Sequence, residues 1–314
     1  MTRAIAAIVV NYGTPDLAIR AVESLRGEEP TPEIHLVDNG SPGDDALRFA
    51  EAHERCAWGE GVTIWPSKEN LGFGRGNNLA IEALLSRDAP PFGILLLNPD
   101  AEVVRGAVGI LAEALEAVPG AGAAGAAVIS PGGTPLAAAF RFPSLASEML
   151  RTANFGPLDR LFGKRLPEVH PGGMVDWVSG AAVMFRSSAL EDAGAFDPDF
   201  FLYFEETELM HRLAGKGWSI LHVPEARVTH AEGAATGGGG RRRDAPTYLY
   251  DSWRLYHLKT AGRAQALLRA LLVVPAAVFN VAHRRLRGRE PTIPRAFFRE
   301  HWTRVIRPLL TGGG

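Results

Sequence analysis

The chain has 314 residues, 46% of them hydrophobic and 22% charged, the balance of a folded domain of enzyme size and not of a disordered chain or a multi-span membrane protein. Its length suits one large core with an appended segment. The single cysteine, Cys56, excludes an internal disulfide and a CxxC zinc site, so the fold needs no oxidising compartment and a cytoplasmic setting is expected.

The net charge of -2 hides an asymmetry: Arg241 onward holds 15 basic and 4 acidic residues, leaving 18 basic and 31 acidic before it. A basic tail suits anionic lipid or nucleic acid. No zinc finger, helix-turn-helix or RNA-binding motif supports the second, so a membrane surface is the expected partner and nucleic acid is not.

In chain order, the run Ala4 to Val10 is too short for the apolar region of a signal peptide and reads as a first strand. Short apolar runs then alternate with helix-period segments, the pattern of a parallel sheet with helices on its faces. Ile5 to Val10, Ile34 to Val37, Val62 to Trp65 and Ile94 to Leu97 are the strands. Helices are expected from about Pro15 to Arg26, Asp44 to Glu54, Gly74 to Leu85 and Ala107 to Val118. Gly120 to Pro171, rich in Ala, Gly and Pro, receives no assignment. A strand-like run Val178 to Phe185, a short helix Ser187 to Ala193, an aromatic stretch Phe196 to Phe204 and a helix from Glu205 to about Lys216 follow. Ile220 to Val223 and Ala226 to Val228 read as two strands leading to His230. Glu232 to Pro246 is Gly-rich and expected to be a mobile connection, so the division expected is a catalytic domain over 1–236 and a basic helical extension over 247–314.

In open α/β sheets ligands sit outside the carboxyl ends of the strands. Those ends carry Asn11-Tyr12, Asp38-Asn39-Gly40-Ser41, Glu69-Asn70-Leu71-Gly72 and Asn98-Pro99-Asp100. Any one is an ordinary turn; four on one edge weaken that reading and make candidate ligand residues of them. The motifs IVVNYGTPD from Ile8, LVDNGSPGD from Leu36, ENLGFGRGNN from Glu69, LLLNPDAEV from Leu95, and VSGAAVMFR through GAFDPDFFLYFEETEL from Val178 resemble, in this order, glycosyltransferase family 2 and within it the bacterial rhamnosyltransferase-like branch. The resemblance implies a GT-A fold, an α/β architecture with a mixed sheet, helices on both faces and here a helical tail. It also implies a nucleoside-diphosphate sugar donor, a divalent cation (Mg2+ or Mn2+), inverting transfer, and a glycan or polyprenyl-linked acceptor.

The residues allow a physical account beside that resemblance. Asp100, directly after a buried strand, is placed to hold a hard cation that neutralises the leaving diphosphate. The family's usual Asp-x-Asp is Asn98-Pro99-Asp100 here, one carboxylate fewer. Asp38 suits the ring N-H shared by uracil and thymine, or caps its own turn. Asn70, Gly72, Arg75 and Asn77 lack GxGxxG spacing and read as a donor loop at a helix start, where free N-H groups favour phosphate; an exposed helical Arg75 is the alternative. His230 stands where family members often carry a histidine completing the metal or diphosphate site, or is structural. Glu205-Glu206 matches the family's Glu-Asp, whose second acid is the base. That points to Glu206, with Glu205 as runner-up, against the reading that acids merely favour a helix start.

Two other functions were weighed. A sugar nucleotidyltransferase would place a Gly-rich basic loop where Asn11 to Pro15 stands, and a non-catalytic relic would be expected to lose its carboxylates. In the tail, Ala264 to Ala282 is interrupted by Gln265, Arg269, Pro275 and Asn280, so an interfacial helix with Arg284, Arg285, Arg287 and Arg289 toward anionic lipid at the inner face of the cell membrane is expected instead of a spanning one. Packing on the catalytic domain or a second subunit is the alternative.

Overall fold

The interior of Ile5–Asn11 is apolar without alternation because both faces of the strand are covered. In the computed structural model, which describes residues 3–162, 172–231 and 245–312, β1 (Ile5–Asn11), β2 (Glu33–Asn39), β3 (Val62–Ser67) and β4 (Gly93–Leu97) run parallel in the order β3-β2-β1-β4. Ala7 and Val9 pack into one core with Val22 and Leu25 of α1 (Pro15–Arg26), Phe49 of α2 (Asp45–Arg55) and Leu111 of α4 (Ala107–Ala117). Val10 points the other way, toward α3 (Phe73–Leu85). Pro15 opens α1 in the first turn, where its missing N-H is not needed.

Beyond β4 the sheet is mixed. The strand Ala182–Arg186 runs antiparallel between β4 and β6 (Ala121–Ile129), and Ser219–His230 lies parallel to β6 and antiparallel to β5 (Ala101–Val103). Three sequence readings change here. The run Val178 to Phe185 is not one strand: Trp177–Val178 pairs with Ala139–Phe140, and the sheet strand starts only at Ala182. Ile220 to Val228 is one strand whose register to β6 slips between Val223 and Arg227. And the unassigned stretch supplies β6, made of AGAAGAAVI. Small residues are needed there, because a Cβ on Gly125 would stand 2.5 Å from Val178.

The chain forms two compact units: Met1–Phe140 with Val169–Phe201 and Glu205–Gly239, and Arg141–Glu168 with Leu202–Phe204 and Gly240–Gly314. The expected connection over 232–244, and the domain end at residue 236, lie outside the described residues. In the helical unit, α5 (Leu145–Ala153) begins in a Ser144/Ser147 capping box. The helix Thr247–Leu286 is broken at Gly262, which takes φ 78°. By length and composition this helix could cross a membrane, yet its polar residues are used inside the unit. Glu148 accepts from Trp253 Nε1 (2.8 Å) and His257 Nε2 (2.9 Å), and Arg269 donates to His257 Nδ1 (2.8 Å), which ties the two arms of the broken helix. Asn280 is fully buried, donating to Thr152 O and Thr292 Oγ1 and accepting from Thr292 N. Residues 202–204 lie against the first arm: Ser252 Oγ donates to Leu202 O, and Phe204 faces Tyr256.

One buried charge in the sheet unit is a remote helix cap. Glu28, 2% exposed, accepts from Gly106 N (2.8 Å) and Val108 N (3.0 Å), two of the N-H groups that α4 cannot satisfy itself. Glu28→Ala strands both, and a loss of about 2 to 4 kcal/mol in unfolding free energy is expected, measured by guanidinium denaturation. Glu28→Gln, keeping one acceptor, should fall between.

Candidate active site

The carboxyl edge of the sheet gathers the polar residues that follow its strands. Asn11 is fully buried and all its polar atoms are committed: Nδ2 donates to Asp45 Oδ2 (2.7 Å) and Ser41 Oγ (3.2 Å), and Oδ1 accepts from Thr14 N and Oγ1. Its amide therefore shapes the loop that carries Tyr12, which is exposed. Asp38, 7% exposed, uses Oδ1 to accept from Ser41 N (3.3 Å). One oxygen caps the turn, the second of the two sequence readings, while the other takes no hydrogen bond among the described residues.

The 70–78 segment is built by a residue the sequence reading passed over. Asn39 donates to Asn70 Oδ1 (3.2 Å) and Gly72 O (3.0 Å) and accepts from Leu71 N (3.1 Å). Asn70 in turn accepts from Gly72 N at 2.9 Å. Gly72 has φ 80°, a left-handed value that favours glycine, and a Cβ there would stand 1.8 Å from Phe201 O. That approach lets Phe73 N donate to Phe201 O at 3.1 Å. Asn77 is buried and bonds Phe73 O within α3, so of the proposed donor residues on this helix Arg75 is the one with an exposed side chain.

After β4, Asn98 N donates to Ala181 O (3.0 Å) and the turn delivers Asp100. Pairing of β5 with Ser219–His230 sets Ala101 opposite His230. Asp100 Oδ1 and His230 Nε2 are consequently 2.9 Å apart, with Asn98 Nδ2 3.5 Å from the same nitrogen. The two residues expected at a metal site are thus together although 130 positions apart. Among the described residues no cluster of three His, Cys, Asp or Glu forms. One carboxylate and one imidazole suit a cation only when further oxygens arrive, as the donor's phosphates would supply.

The third group is the start of the helix Glu205–Gly215. Glu208, third of its acids, is a structural partner: it pairs with Arg212 at 2.7 Å, and Arg212 also donates to the carbonyls of Ala193, Gly194 and Ala195. Among the described residues, Glu205 and Glu206 have no such cation. Each has a buried oxygen, Oε2, without a hydrogen-bond donor. Glu206 Oε1 lies beside Gly180, next to the Ala181 carbonyl that receives Asn98 N, and Phe73 of α3 flanks the same glycine. Burial raises both carboxyls above the usual range. The push is stronger on Glu205, where burial is joined by the charge of Glu206, while backbone N-H groups at the helix start ease ionisation of both. Carboxyls raised in this way are suited to take up a proton, as a general base must.

Residues 6–189, more than half of the chain, match the model of glycosyl transferase family 2. The chain belongs to glycosyl transferase family 2. Residues 112–276 also match the model of glycosyl transferase family group 2. As a family 2 glycosyltransferase it is an inverting enzyme that transfers a sugar from a nucleoside-diphosphate sugar. It is similar to the N-acetylglucosaminyl-diphospho-decaprenol L-rhamnosyltransferase of Mycobacterium tuberculosis, strains CDC 1551 / Oshkosh and H37Rv, at 28% identity over 313 residues, covering 91% of this chain and 98% of the relative. Among solved structures it resembles the mannosyltransferase PcManGT from Pyrobaculum calidifontis in complex with GDP-Man and Mn2+ (TM-score 0.56, 13% identity, 100% of this chain and 87% of that one). It also resembles GalNAc-T7 with UDP, GalNAc and Mn2+ (TM-score 0.61, 13% identity, 99% and 58%). At these identities the structures speak for the fold, which is the GT-A-like mixed sheet expected from the motifs.

In this family 2 enzyme the raised carboxyls have a measurable consequence in two directions. The acid limb of kcat/KM is expected above the ordinary Glu value of about 4.3. For stability, a carboxyl with a raised folded pKa contributes fully below its unfolded value, and that contribution is lost as pH rises through the folded value. Glu205→Gln removes that loss, so its denaturation midpoint relative to the unmutated protein should climb across the same window. A constant difference from about pH 4 to about pH 8 would contradict the burial of this pair as a charged liability.

Proposed function

We propose that the enzyme transfers L-rhamnose from dTDP-rhamnose to a sugar carried on a polyprenyl diphosphate, at the inner face of the cell membrane. The observation that carries this reading is the similarity, over nearly the whole length of both chains, to the mycobacterial L-rhamnosyltransferase, whose name specifies a diphospho-decaprenol acceptor. Asp38 offers a carboxylate oxygen to the thymine ring N-H. Arg75 and the N-H groups at the start of α3 face the donor diphosphate. Asp100 and His230 would hold a Mg2+ or Mn2+ ion together with the donor's phosphate oxygens. When bound, such a cation neutralises the diphosphate as it departs. Glu206 accepts the proton of the acceptor hydroxyl as the new oxygen–carbon bond forms and the bond from the anomeric carbon to the diphosphate breaks, and Glu205 stays protonated beside it.

Release of nucleoside diphosphate, measured with a panel of UDP-, dTDP- and GDP-sugars and a prenyl-diphosphate-linked N-acetylglucosamine, tests the substrate. Turnover of dTDP-rhamnose well above the others is expected; preferential turnover of a UDP- or GDP-sugar would overturn the rhamnosyl reading. In the same assay Asp100→Ala and an excess of chelator should each remove most turnover, and full activity under both conditions would remove the metal from the mechanism.

Glu206→Gln preserves volume and is expected to lower transfer by a factor of roughly 10² or more while leaving donor binding intact. If Glu205→Gln is the inactive variant and Glu206→Gln retains activity within a few-fold, the base is Glu205.

A further inference from the structure

After the break at Gly262 the long helix is apolar on two opposite sides. Ala266, Ala270, Val273, Ala277 and Asn280, spaced by three and four, are buried within the helical unit. The reverse side carries Leu268, Leu271 and Val278, which are 51%, 47% and 52% exposed, with Phe279 at its edge. Packing inside the unit does not account for an outward apolar stripe of this length. Farther along the chain, the end of this helix and the turn after it line a cavity of about 1040 Å³ with Arg284, Arg285, Arg289 and Arg295, Glu290 as its single acid and Val281, Ile293 and Phe298 among its apolar walls. Arg284 Nε donates to the Glu290 carbonyl (2.6 Å), and none of the four arginines is paired with a carboxylate among the described residues.

We propose that this face docks the enzyme on a bilayer rich in anionic phospholipid, the arginine cavity receiving lipid phosphates while the Leu268, Leu271 and Val278 stripe enters the acyl boundary. The charge and the apolar surface occur together on one helix and its following turn, the combination that an interfacial element requires. A nucleic acid would use the arginines but leave the stripe in water. A two-fold dimer through this face would set each arginine cluster near its own copy. The proposal rests on the helical unit alone, so it holds or fails irrespective of donor and acceptor.

Flotation of the full-length protein with vesicles tests it without either substrate. Vesicles of phosphatidylcholine with phosphatidylglycerol should carry the protein, pure phosphatidylcholine should not, and raising salt from about 0.1 to about 0.5 M should release it. The combined variant Arg285→Gln, Arg289→Gln, Arg295→Gln should weaken partitioning by about 10²-fold, from about fivefold per arginine near a charged surface. Leu271→Asp with Val278→Asp should weaken it independently, and circular dichroism melts establish that each variant is folded. Equal binding to both vesicle types overturns the proposal even if no variant folds. So does undiminished binding of the folded arginine variant, or a dimer in sedimentation equilibrium that Leu271→Asp dissociates.

Discussion

The site depends on one backbone contact, the hydrogen bond from Phe73 N to Phe201 O, and on the absence of a side chain at Gly72 that permits it. Around that contact the end of β2, the loop before α3 and the stretch ending at Phe201 are held together. Asn39 holds the loop from the strand side through three hydrogen bonds, and Asn78 holds Phe196 through two more, donating to its carbonyl and accepting from its N-H. The loop before α3 and the stretch from Phe196 to Phe201 are thereby positioned by the same few amides. Because rate falls steeply with small misplacement of reacting groups, a rigid link between these two segments matters more than the individual strength of any bond in it.

Much of the first half was legible because burial on both faces writes itself into a strand as an unbroken apolar run, and because α1 to α4 show a clear helical period. The strand β6 was not legible: AGAAGAAVI has neither the bulk nor the alternation that marks a strand, and its small residues answer to Val178 and Trp218 packed against it. The pairing of Asp100 with His230 could not be derived from spacing either, since it arises from the antiparallel register of β5 on Ser219–His230. At the site, Asn11 and Asn77 looked like ligand residues for the reason that makes Asn useful in turns and helix starts: it carries both a donor and an acceptor, and here the protein uses them itself. Asn39 was visible only as half of an Asn-Gly turn, though it organises the loop. Glu208 stood as a third acid beside Glu205 and Glu206 until its partner Arg212, one helical turn on, placed it in the scaffold.

The replacement of the first Asp of the family's usual pattern by Asn98 changes the electrostatics of the edge. A single carboxylate with an imidazole 2.9 Å away is a poor cage for a hard cation on its own, which prefers six or more oxygens. On the proposed metal reading, cation and nucleotide sugar complete each other's coordination, and by linkage each raises the affinity for the other. The hydrogen bond between Asp100 and His230 then serves the empty enzyme: it keeps a 4%-exposed carboxylate side chain satisfied until donor and cation arrive together.

The adjacent carboxyls of Glu205 and Glu206 differ by surroundings and not by chemistry, since both are glutamates on the same helical turn. Two ionised carboxylates side by side here would be costly, and no cation among the described residues neutralises them: Arg212, the cation paired with this first turn, is committed to Glu208 and to the 193–195 carbonyls. The helix N-terminus, whose N-H groups reach both carboxyls, offsets part of that cost. A helix start supports one such charge better than two, and both carboxyls stay above the usual range, Glu205 the more. The extra methylene of Glu206 relative to the Asp usual at this place in the family gives the carboxylate a longer reach from the same helix start, and its Oε1 stands beside Gly180, which Phe73 also flanks.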